Sequence, residues 1–219
     1  MAMNFEQART NMVENQVRPW EVLDGRVLDV ISRVRREDFV AAEHRQLAFA
    51  DLCLPLGHGE VMMKPVVEGR MLQALDVQAT DRVLEIGTGS GYLSACLATL
   101  SAQLVSVDIH ADFTAAASER LRHAGIGNAS LVTGEAVRAW QPDGLFDVLV
   151  VTGAVAEVPS RWRAWLKPGG RAFVVSGQSP VQRANLLVLE ATGELRVQGL
   201  FETDLPYLVH AEPAPRFVL

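Results

Sequence analysis

The sequence predicts an α/β fold: a Rossmann-like, doubly wound and mostly parallel sheet with an antiparallel C-terminal hairpin and an N-terminal helical extension. One observation is that nearly continuous apolar runs, such as DRVLEIG and FDVLVVTGA, alternate with helical patterns. Strands that are apolar throughout are typical of a parallel sheet covered by helices on both faces. A second is the tail ANLLVLEATGELRVQGLFE, where two strand-like runs flank Thr192-Gly193-Glu194 and predict a hairpin at the sheet edge.

The chain is predicted to form one compact domain with two regions. Residues 1–75 are expected to be the helical extension and a substrate-side loop, and residues 76–219 the ligand-binding α/β core. In the extension, residues 3–18 place apolar side chains at helical spacing until Pro19 ends the pattern. Two further amphipathic stretches, RVLDVISRV and the shorter AEHRQLAF, are predicted helices, and LCLPLGHGEVMMKP is a predicted loop.

The core elements follow in alternation. Pro168 and Gly169 are expected to stop the last helix. The predicted helices cover MKPVVEGRMLQAL, SGYLSACLATL, DFTAAASERLRHAG, EAVRAW and PSRWRAWLKPGG, and the predicted strands cover DRVLEIG, AQLVSVDI, ASLVTG, FDVLVVTGA and RAFVVSG.

Composition excludes several classes of partner. The formal net charge of −6 gives no electrostatic support for nucleic acid or an anionic membrane as a partner. The N-terminus MAMNFEQART has no apolar signal-peptide core, and no run approaches the length of a membrane span. Cys53 and Cys96 are too sparse for a disulfide framework, so two reduced thiols are expected. We therefore expect a soluble, cytoplasmic protein.

The stretch VLEIGTGSGY carries the clearest binding motif. Gly87 and Gly89 fill the first two places of the dinucleotide fingerprint G-x-G-x-x-G, but Tyr92 occupies the third. The pattern is instead E-x-G-x-G-x-G, which adds Glu85 and Gly91. Glycines at such a turn let the backbone pass close to a ligand.

The charge of this turn selects the ligand. A pyrophosphate would be repelled by Glu85, whereas S-adenosylmethionine carries a sulfonium and an ammonium group that a carboxylate attracts. Asp108 ends the next strand, where an acid commonly accepts hydrogen bonds from ribose hydroxyls. Both a dinucleotide such as NAD and S-adenosylmethionine carry this ribose, so Asp108 does not distinguish between them. Glu85 and the spacing of the glycines favour S-adenosylmethionine.

The sequence gives weaker evidence for other kinds of functional site. Neither lysine follows a glycine as a phosphate-binding loop requires, and Ser90 lacks the glycines two residues before and after it that a nucleophile elbow has. The five histidines are scattered, so no metal site is predicted. His58, in the glycine loop, could contact substrate or serve the turn itself.

From about Met12 to Arg171 the chain resembles the protein-L-isoaspartate O-methyltransferases, within the class I S-adenosylmethionine-dependent methyltransferases. The motifs are DRVLEIGTGSGYLSACLA, VTGEA, FDVLVVTGAVAEVP and LKPGGR, together with the more specific upstream MVENQVR, VRREDFV, LAFADLCLPLGHGE and KP. The resemblance implies methyl transfer to the carboxylate of isoaspartyl residues in damaged proteins, with a protein or peptide as substrate. It also implies cofactor-binding roles for Glu85, Gly87, Thr88, Gly89, Gly91, Asp108, Ile109, Gly134, Glu135 and Ala136.

The substrate-side loop departs from the family pattern. The family has Gln-Thr-Ile-Ser-Gln-Pro, with the serine as its usual catalytic residue, where this chain has residues 60–65, EVMMKP. Val61 therefore replaces the threonine and Met63 the serine, the position of the implied catalytic residue. Lys64 could attract a substrate carboxylate and Glu60 would repel one, or Lys64 is simply solvated while the methionines pack the loop.

Four functions remain open from the sequence. The first is an isoaspartyl methyltransferase. The second is a methyltransferase of the same lineage with another acceptor, which the rewritten loop favours. The third is a non-catalytic S-adenosylmethionine-binding protein. The weakest is a nicotinamide oxidoreductase, because Tyr92 occupies the third glycine position.

Overall fold

The computed structural model describes residues 3–214, so residues 1–2 and 215–219 of the two predicted regions lie outside it. Within that range the α-helices are α1 (Phe5–Met12), α2 (Gly25–Arg33), α3 (Pro65–Leu75), α4 (Tyr92–Leu100) and α5 (Ala111–His123). The strands are β1 (Leu54–Gly57), β2 (Glu60–Met62), β3 (Arg82–Ile86), β4 (Gln103–Asp108), β5 (Ala129–Thr133), β6 (Phe146–Val155), β7 (Leu166–Gln178), β8 (Val181–Leu189) and β9 (Leu195–Thr203).

Seven of the strands form one sheet in the order β5-β4-β3-β6-β7-β8-β9. The pairs from β5 to β7 are parallel, and β8 and β9 add antiparallel strands at one edge. This confirms the predicted fold class and its C-terminal hairpin. The strand order reverses between β3 and β6, and ligands of open α/β sheets bind outside the carboxyl ends of the strands at such a switch point.

Two hydrophobic clusters cover the faces of this sheet. Alternate residues of β3 point to opposite sides, since Val83 belongs to the cluster that includes α2, α3 and α4, while Leu84 belongs to the cluster around Trp162. The first cluster also contains Met12 and Phe39, so the N-terminal extension packs directly on the sheet's helices. The extension thus shares its core with the strands that carry the glycine turn.

The N-terminal extension is helical, as predicted, although its helices are shorter and more varied. The pattern over residues 3–18 becomes α1, a π-helical turn at Val13–Val17 and a 3₁₀ turn at Arg18–Trp20 that contains Pro19. The stretch AEHRQLAF forms a 3₁₀ helix, Ala42–Leu47. None of the helices within residues 3–214 is long and apolar enough to cross a membrane.

Two of the predicted core helices are wrong. The stretch EAVRAW forms only one turn: the Glu135 carboxylate caps the amides of residues 137–139, but Pro142 follows closely and disfavours helical backbone before it. In PSRWRAWLKPGG, only a 3₁₀ helix forms at Ser160–Trp165, and β7 begins at Leu166. Pro168 falls in the irregular stretch where the β6–β7 register shifts, a position that tolerates a missing backbone donor.

The predicted loop before α3 contains a missed hairpin. β1 and β2 pair antiparallel, with Leu54 opposite Met62 and Pro55 opposite Val61. The turn runs through Gly57, His58 and Gly59, all with positive φ angles.

Of the two free thiols, Cys96 is buried and Cys53 is partly buried.

Candidate functional site

A cavity of about 570 Å³, open to solvent, lies at the carboxyl ends of β3, β4 and β6. Its walls come from the glycine turn after β3, the segment after β4, the turn after β5 and the β1–β2 hairpin. Of the residues predicted from the sequence, it is lined by Glu60, Val61, Gly87, Gly89, Asp108, Ile109, Gly134, Glu135 and Ala136. The fold therefore brings most of the predicted cofactor residues to one place.

The glycines of the turn serve different purposes. Gly87 has a φ of +95°, and an added Cβ would lie 2.1 Å from Oγ1 of Thr152. Gly91 begins α4 with a φ of +83°, and its added Cβ would lie 2.8 Å from Cβ of Ala117 on α5. Gly87 thus permits close passage of the backbone beside the cavity, whereas Gly91 permits close packing of two helices and lines no part of the cavity.

Glu85 lies beneath the turn and is completely buried. Its Oε2 accepts hydrogen bonds from Oγ of Ser106, at 2.6 Å, and from Oγ of Ser94, while its buried Oε1 has no partner within residues 3–214. Burial raises the pKa of Glu85 to about 8, although the two hydroxyls act in the opposite direction. In the protein without ligand, this carboxyl group is therefore mostly protonated at neutral pH.

Glu85 lines a second, smaller cavity that adjoins the first. Thr88 lies beside it, with its Oγ1 2.6 Å from Oγ of Ser106. Val61, Gly87 and Gly89 line both cavities, so the two spaces form neighbouring parts of one site. The unpaired Oε1 of Glu85 adjoins the space where a ligand's positive group could replace its missing partner.

Asp108 links the end of β4 to the glycine turn. Its Oδ2 accepts the amide of Gly89 and its Oδ1 accepts the amide of His110, each at 2.9 Å. The carbonyl of Asp108 also accepts the amide of Gly134 at 2.8 Å. Each carboxylate oxygen retains a lone pair for a ligand hydroxyl, and the side chain lines the main cavity.

The turn after β5 forms the far wall. The carboxylate of Glu135 accepts the amides of Val137, Arg138 and Ala139, at 2.9 to 3.1 Å, and so caps this turn from inside. A Cβ on Gly134 would lie 2.7 Å from Cδ1 of Trp140. This wall therefore depends on the side chain of Glu135 and on the missing side chain of Gly134.

The β1–β2 hairpin closes the other side. Val61 reaches both cavities, Glu60 lines the main one and Met63 lines the smaller one. Burial raises the pKa of Glu60, and the nearby Asp108 adds to the rise. Met63 is buried, and its backbone carbonyl accepts a hydrogen bond from Nη2 of Arg36 at 2.6 Å. At the predicted catalytic position, the loop thus presents a thioether wall in place of a hydroxyl.

Two predicted loop residues lie outside both cavities. Lys64 is exposed immediately before α3. His58, at the tip of the hairpin turn, packs against the segment after β4, where its ring stacks on that of His110. A substrate role for either residue remains a prediction.

Sequence reasoning missed Thr152 and the C-terminal residues Leu208 and Val209, which also line the main cavity. Oγ1 of Thr152 donates to the carbonyl of Gly87 at 2.6 Å and so fixes the turn. Its polarity within the apolar run FDVLVVTGA is a signal that could have identified it. Leu208 reaches the site because residues 206–208 bond to Ala154 of β6, a long-range pairing that no local pattern indicates.

The fold and site define a doubly wound α/β protein whose ligand cavity lies between a glycine turn and a strand-end acid. The family model for protein-L-isoaspartate(D-aspartate) O-methyltransferase matches residues 7–207. A protein-L-isoaspartate O-methyltransferase of Koribacter versatilis is 35% identical over 192 residues, covering 88% of this chain and 86% of its own. A Myxococcus xanthus enzyme of the same name is 40% identical over 156 residues, covering 71% of this chain and 74% of its own.

Solved structures agree on the fold. A Plasmodium falciparum protein described as a protein-L-isoaspartate O-methyltransferase, in complex with S-adenosyl-L-homocysteine, aligns with a TM-score of 0.79 at 18% identity. The alignment covers 94% of this chain and 99% of that one. The chain belongs to the protein-L-isoaspartate(D-aspartate) O-methyltransferase family.

Proposed function

We propose that this chain is an S-adenosylmethionine-dependent methyltransferase that methylates the carboxylate of isoaspartyl residues in damaged proteins. The observation that carries the proposal is the family match over residues 7–207, which includes the helical extension and the hairpin as well as the core. A protein or peptide is the proposed substrate. The cytoplasm is the proposed place of action, in keeping with a net charge of −6 and two free thiols.

The proposed cofactor position follows the chemistry of the walls. The amino-acid end lies in the smaller cavity, where Oε1 of Glu85 lacks a partner and Thr88 lies close by. The ribose lies against Asp108, and the adenine lies between Ile109 and the Gly134–Ala136 turn. When bound, S-adenosylmethionine supplies an electrophilic methyl group on a sulfonium. A positive group beside Glu85 favours the ionised carboxylate, so the pKa of Glu85 falls on binding.

On the acceptor side, the chain needs to orient more than to activate. A carboxylate is already ionised near neutral pH, so methyl transfer requires no general base. The Val61 and Met63 side chains give a wall of fixed shape, and Arg36 fixes the Met63 carbonyl behind it. Alignment of the acceptor within attack distance is then the main contribution of the hairpin. The lost hydroxyls remove positioning hydrogen bonds, at a typical cost of about 0.5–1.5 kcal/mol each.

A second candidate is a methyltransferase of the same lineage with a different acceptor. Two observations favour it: Val61 and Met63 form an apolar wall, and Glu60 adds a carboxyl group beside Asp108. An anionic acceptor gains no hydrogen bond from the apolar wall and is repelled by Glu60 when that group is ionised. A neutral or cationic acceptor would not meet that repulsion.

Label transfer decides between these functions. Purified protein is incubated with methyl-labelled S-adenosylmethionine and either an isoaspartyl peptide or its ordinary aspartyl twin. We expect base-labile label on the isoaspartyl peptide alone. Cofactor binding by calorimetry with label on neither peptide would reject the isoaspartyl assignment in favour of another acceptor or a non-catalytic binder.

A loop variant tests what the hairpin contributes. In Val61→Thr/Met63→Ser, restored hydroxyls should lower KM for the isoaspartyl peptide by about threefold to tenfold, the equivalent of one typical hydrogen bond. Val197→Thr is the matched control, since Val197 is 60% exposed on β9, far from the hairpin in sequence. Equal kinetic changes in both variants would mean that the hairpin does not set acceptor choice.

A further inference from the structure

Two histidines and an aspartate that are distant in sequence meet beside the main cavity. His58 lies on the β1–β2 turn, and His110 and Asp112 lie at the start of α5. The rings of His58 and His110 stack with their centroids 4.1 Å apart and an interplanar angle of 8°. One ligating atom from each of the three side chains lies within 4.8 Å of the other two.

The contacts within this cluster leave a nitrogen unexplained. His58 Nε2 pairs with Oδ2 of Asp112 at 2.9 Å, on the exposed side. His110 Nε2 is buried and has no hydrogen-bond partner within the described chain. A buried polar atom without a partner is unfavourable, and coordination of an ion is one of the ways in which such an atom is satisfied.

We propose that His58, His110 and Asp112 bind a Zn²⁺ ion. Two imidazoles and one carboxylate are a donor set that Zn²⁺ accepts, with a water completing the tetrahedron. Zinc–ligand distances of about 2.0–2.1 Å place tetrahedral donor atoms about 3.3 Å apart, so the three side chains must rearrange to bind the ion. Stacked parallel rings cannot both direct a lone pair at one ion, so binding requires the half-exposed His58 ring, which is flanked by two glycines, to turn.

The position of the site gives the ion a structural consequence. Leu56, Glu60 and Val61 of the hairpin line the main cavity on one side, and His110 and Phe113 line it on the other. A bound ion would therefore join the hairpin to α5 across the mouth of the cavity. This inference does not depend on the proposed methyl transfer, because the binding of the ion is measured without cofactor or substrate.

Calorimetric titration with zinc chloride tests the proposal on the full-length chain, after removal of metals with a chelator. We expect one Zn²⁺ per chain in the parent, and affinity at least tenfold weaker in His58→Ala and in Asp112→Asn. His123→Ala is the matched control, because His123 is an exposed histidine near the other end of α5. Circular dichroism and the metal-free Tm check that each variant is folded. Magnesium chloride serves as the metal control, since Mg²⁺ prefers oxygen ligands.

Each outcome has a clear meaning. Loss of binding in both cluster variants, with binding kept in His123→Ala, supports the site. The absence of saturable Zn²⁺ binding to the parent at about 100-fold molar excess overturns it. Equal affinity in the parent and His58→Ala also overturns it, as does an equal loss in His123→Ala, because the ion would then lie elsewhere. None of these readouts requires activity, so they are separate from the test of the proposed function.

Discussion

Arg36 connects the N-terminal extension to the substrate-side hairpin, and replacing it with methionine tests that connection. The guanidinium is completely buried. It pairs with the buried carboxyl of Glu68, donates to the Ala48 carbonyl at 2.8 Å and donates to the Met63 carbonyl at 2.6 Å. It also lies 4.7 Å from the ring centroid of Tyr92. The Arg36→Met variant keeps much of the apolar stem but removes every charged contact.

The expected cost follows from these contacts. Breaking a buried ion pair by removing one partner typically costs about 3–5 kcal/mol, because the other charge stays buried without compensation. Burial raises the pKa of Glu68 to about 7, and Arg36 offsets part of that rise. Without Arg36 the pKa of Glu68 should rise further. Arg36→Met should therefore lower the free energy of unfolding by about 3–5 kcal/mol.

Urea unfolding followed by circular dichroism measures this cost. Arg33→Met is the matched control, since the Arg33–Asp29 pair is exposed, with side chains 75% and 53% accessible, and should change stability by only about 0.5 kcal/mol. Glu68→Leu should destabilise the parent but stabilise Arg36→Met, because it removes the unpaired carboxyl. A cost for Arg36→Met no larger than that of the control would refute the reasoning.

Three further predictions concern the site. Gly87→Ala should lower the free energy of unfolding by about 2 kcal/mol or more and weaken S-adenosylmethionine binding, because the added Cβ would collide with Thr152 and the φ angle is positive. Urea unfolding and calorimetry measure the two effects. Gly127→Ala is the control and should show neither effect, since its Cβ would meet nothing within 4 Å. Glu135→Ala should weaken cofactor binding by about twofold to thirtyfold, since a lost cap costs about 0.5–2 kcal/mol, whereas Glu135→Gln retains an acceptor. Equal losses of affinity in the two variants, measured by calorimetry, would count against the capping role. Because the folded-state pKa of Glu85, about 8, lies above its ordinary value of 4.5, the ligand-free protein should lose stability as pH rises between these values. Between pH 5 and 8, the free energy of unfolding of Glu85→Gln should therefore rise by up to about 4 kcal/mol relative to that of the parent. The same dependence of the free energy of unfolding on pH in both proteins would contradict this.

The centre of the sheet was predictable from sequence because β3 and β6 are buried on both faces and read as nearly continuous apolar runs. A glycine turn follows β3 and an acid ends β4. The EAVRAW stretch has helical propensity, but only one capped turn forms because Pro142 disfavours helical backbone at the residue before it. The β1–β2 hairpin was missed because its strands have only four and three residues.

Part of the lining of the candidate site was predictable from sequence, but the protonation of Glu85 was not. Glu85 was identified from its place before the glycines, yet its two serine partners come from α4 and β4, which no spacing rule connects. Complete burial keeps the group mostly neutral before ligand binds, although the two serine hydroxyls act in the opposite direction. Similarly, nothing in the sequence places His58 against His110, because the turn carrying His58 belongs to the unpredicted hairpin.

The most direct test of the central claim is proton release on cofactor binding. Titrating S-adenosylmethionine into the protein at pH 7, in buffers of different ionisation enthalpy, counts the protons exchanged. A group with a pKa of about 8 is about nine-tenths protonated at pH 7, so ionisation of Glu85 against the ligand's positive charge should release about 0.9 proton. Because Glu85→Gln keeps the ligand's own proton exchange, the difference between the two proteins isolates Glu85. We predict that this difference is close to 0.9 proton at pH 7 and about 0.1 at pH 9. Identical proton release from parent and Glu85→Gln would contradict the claim that this carboxylate receives the cofactor.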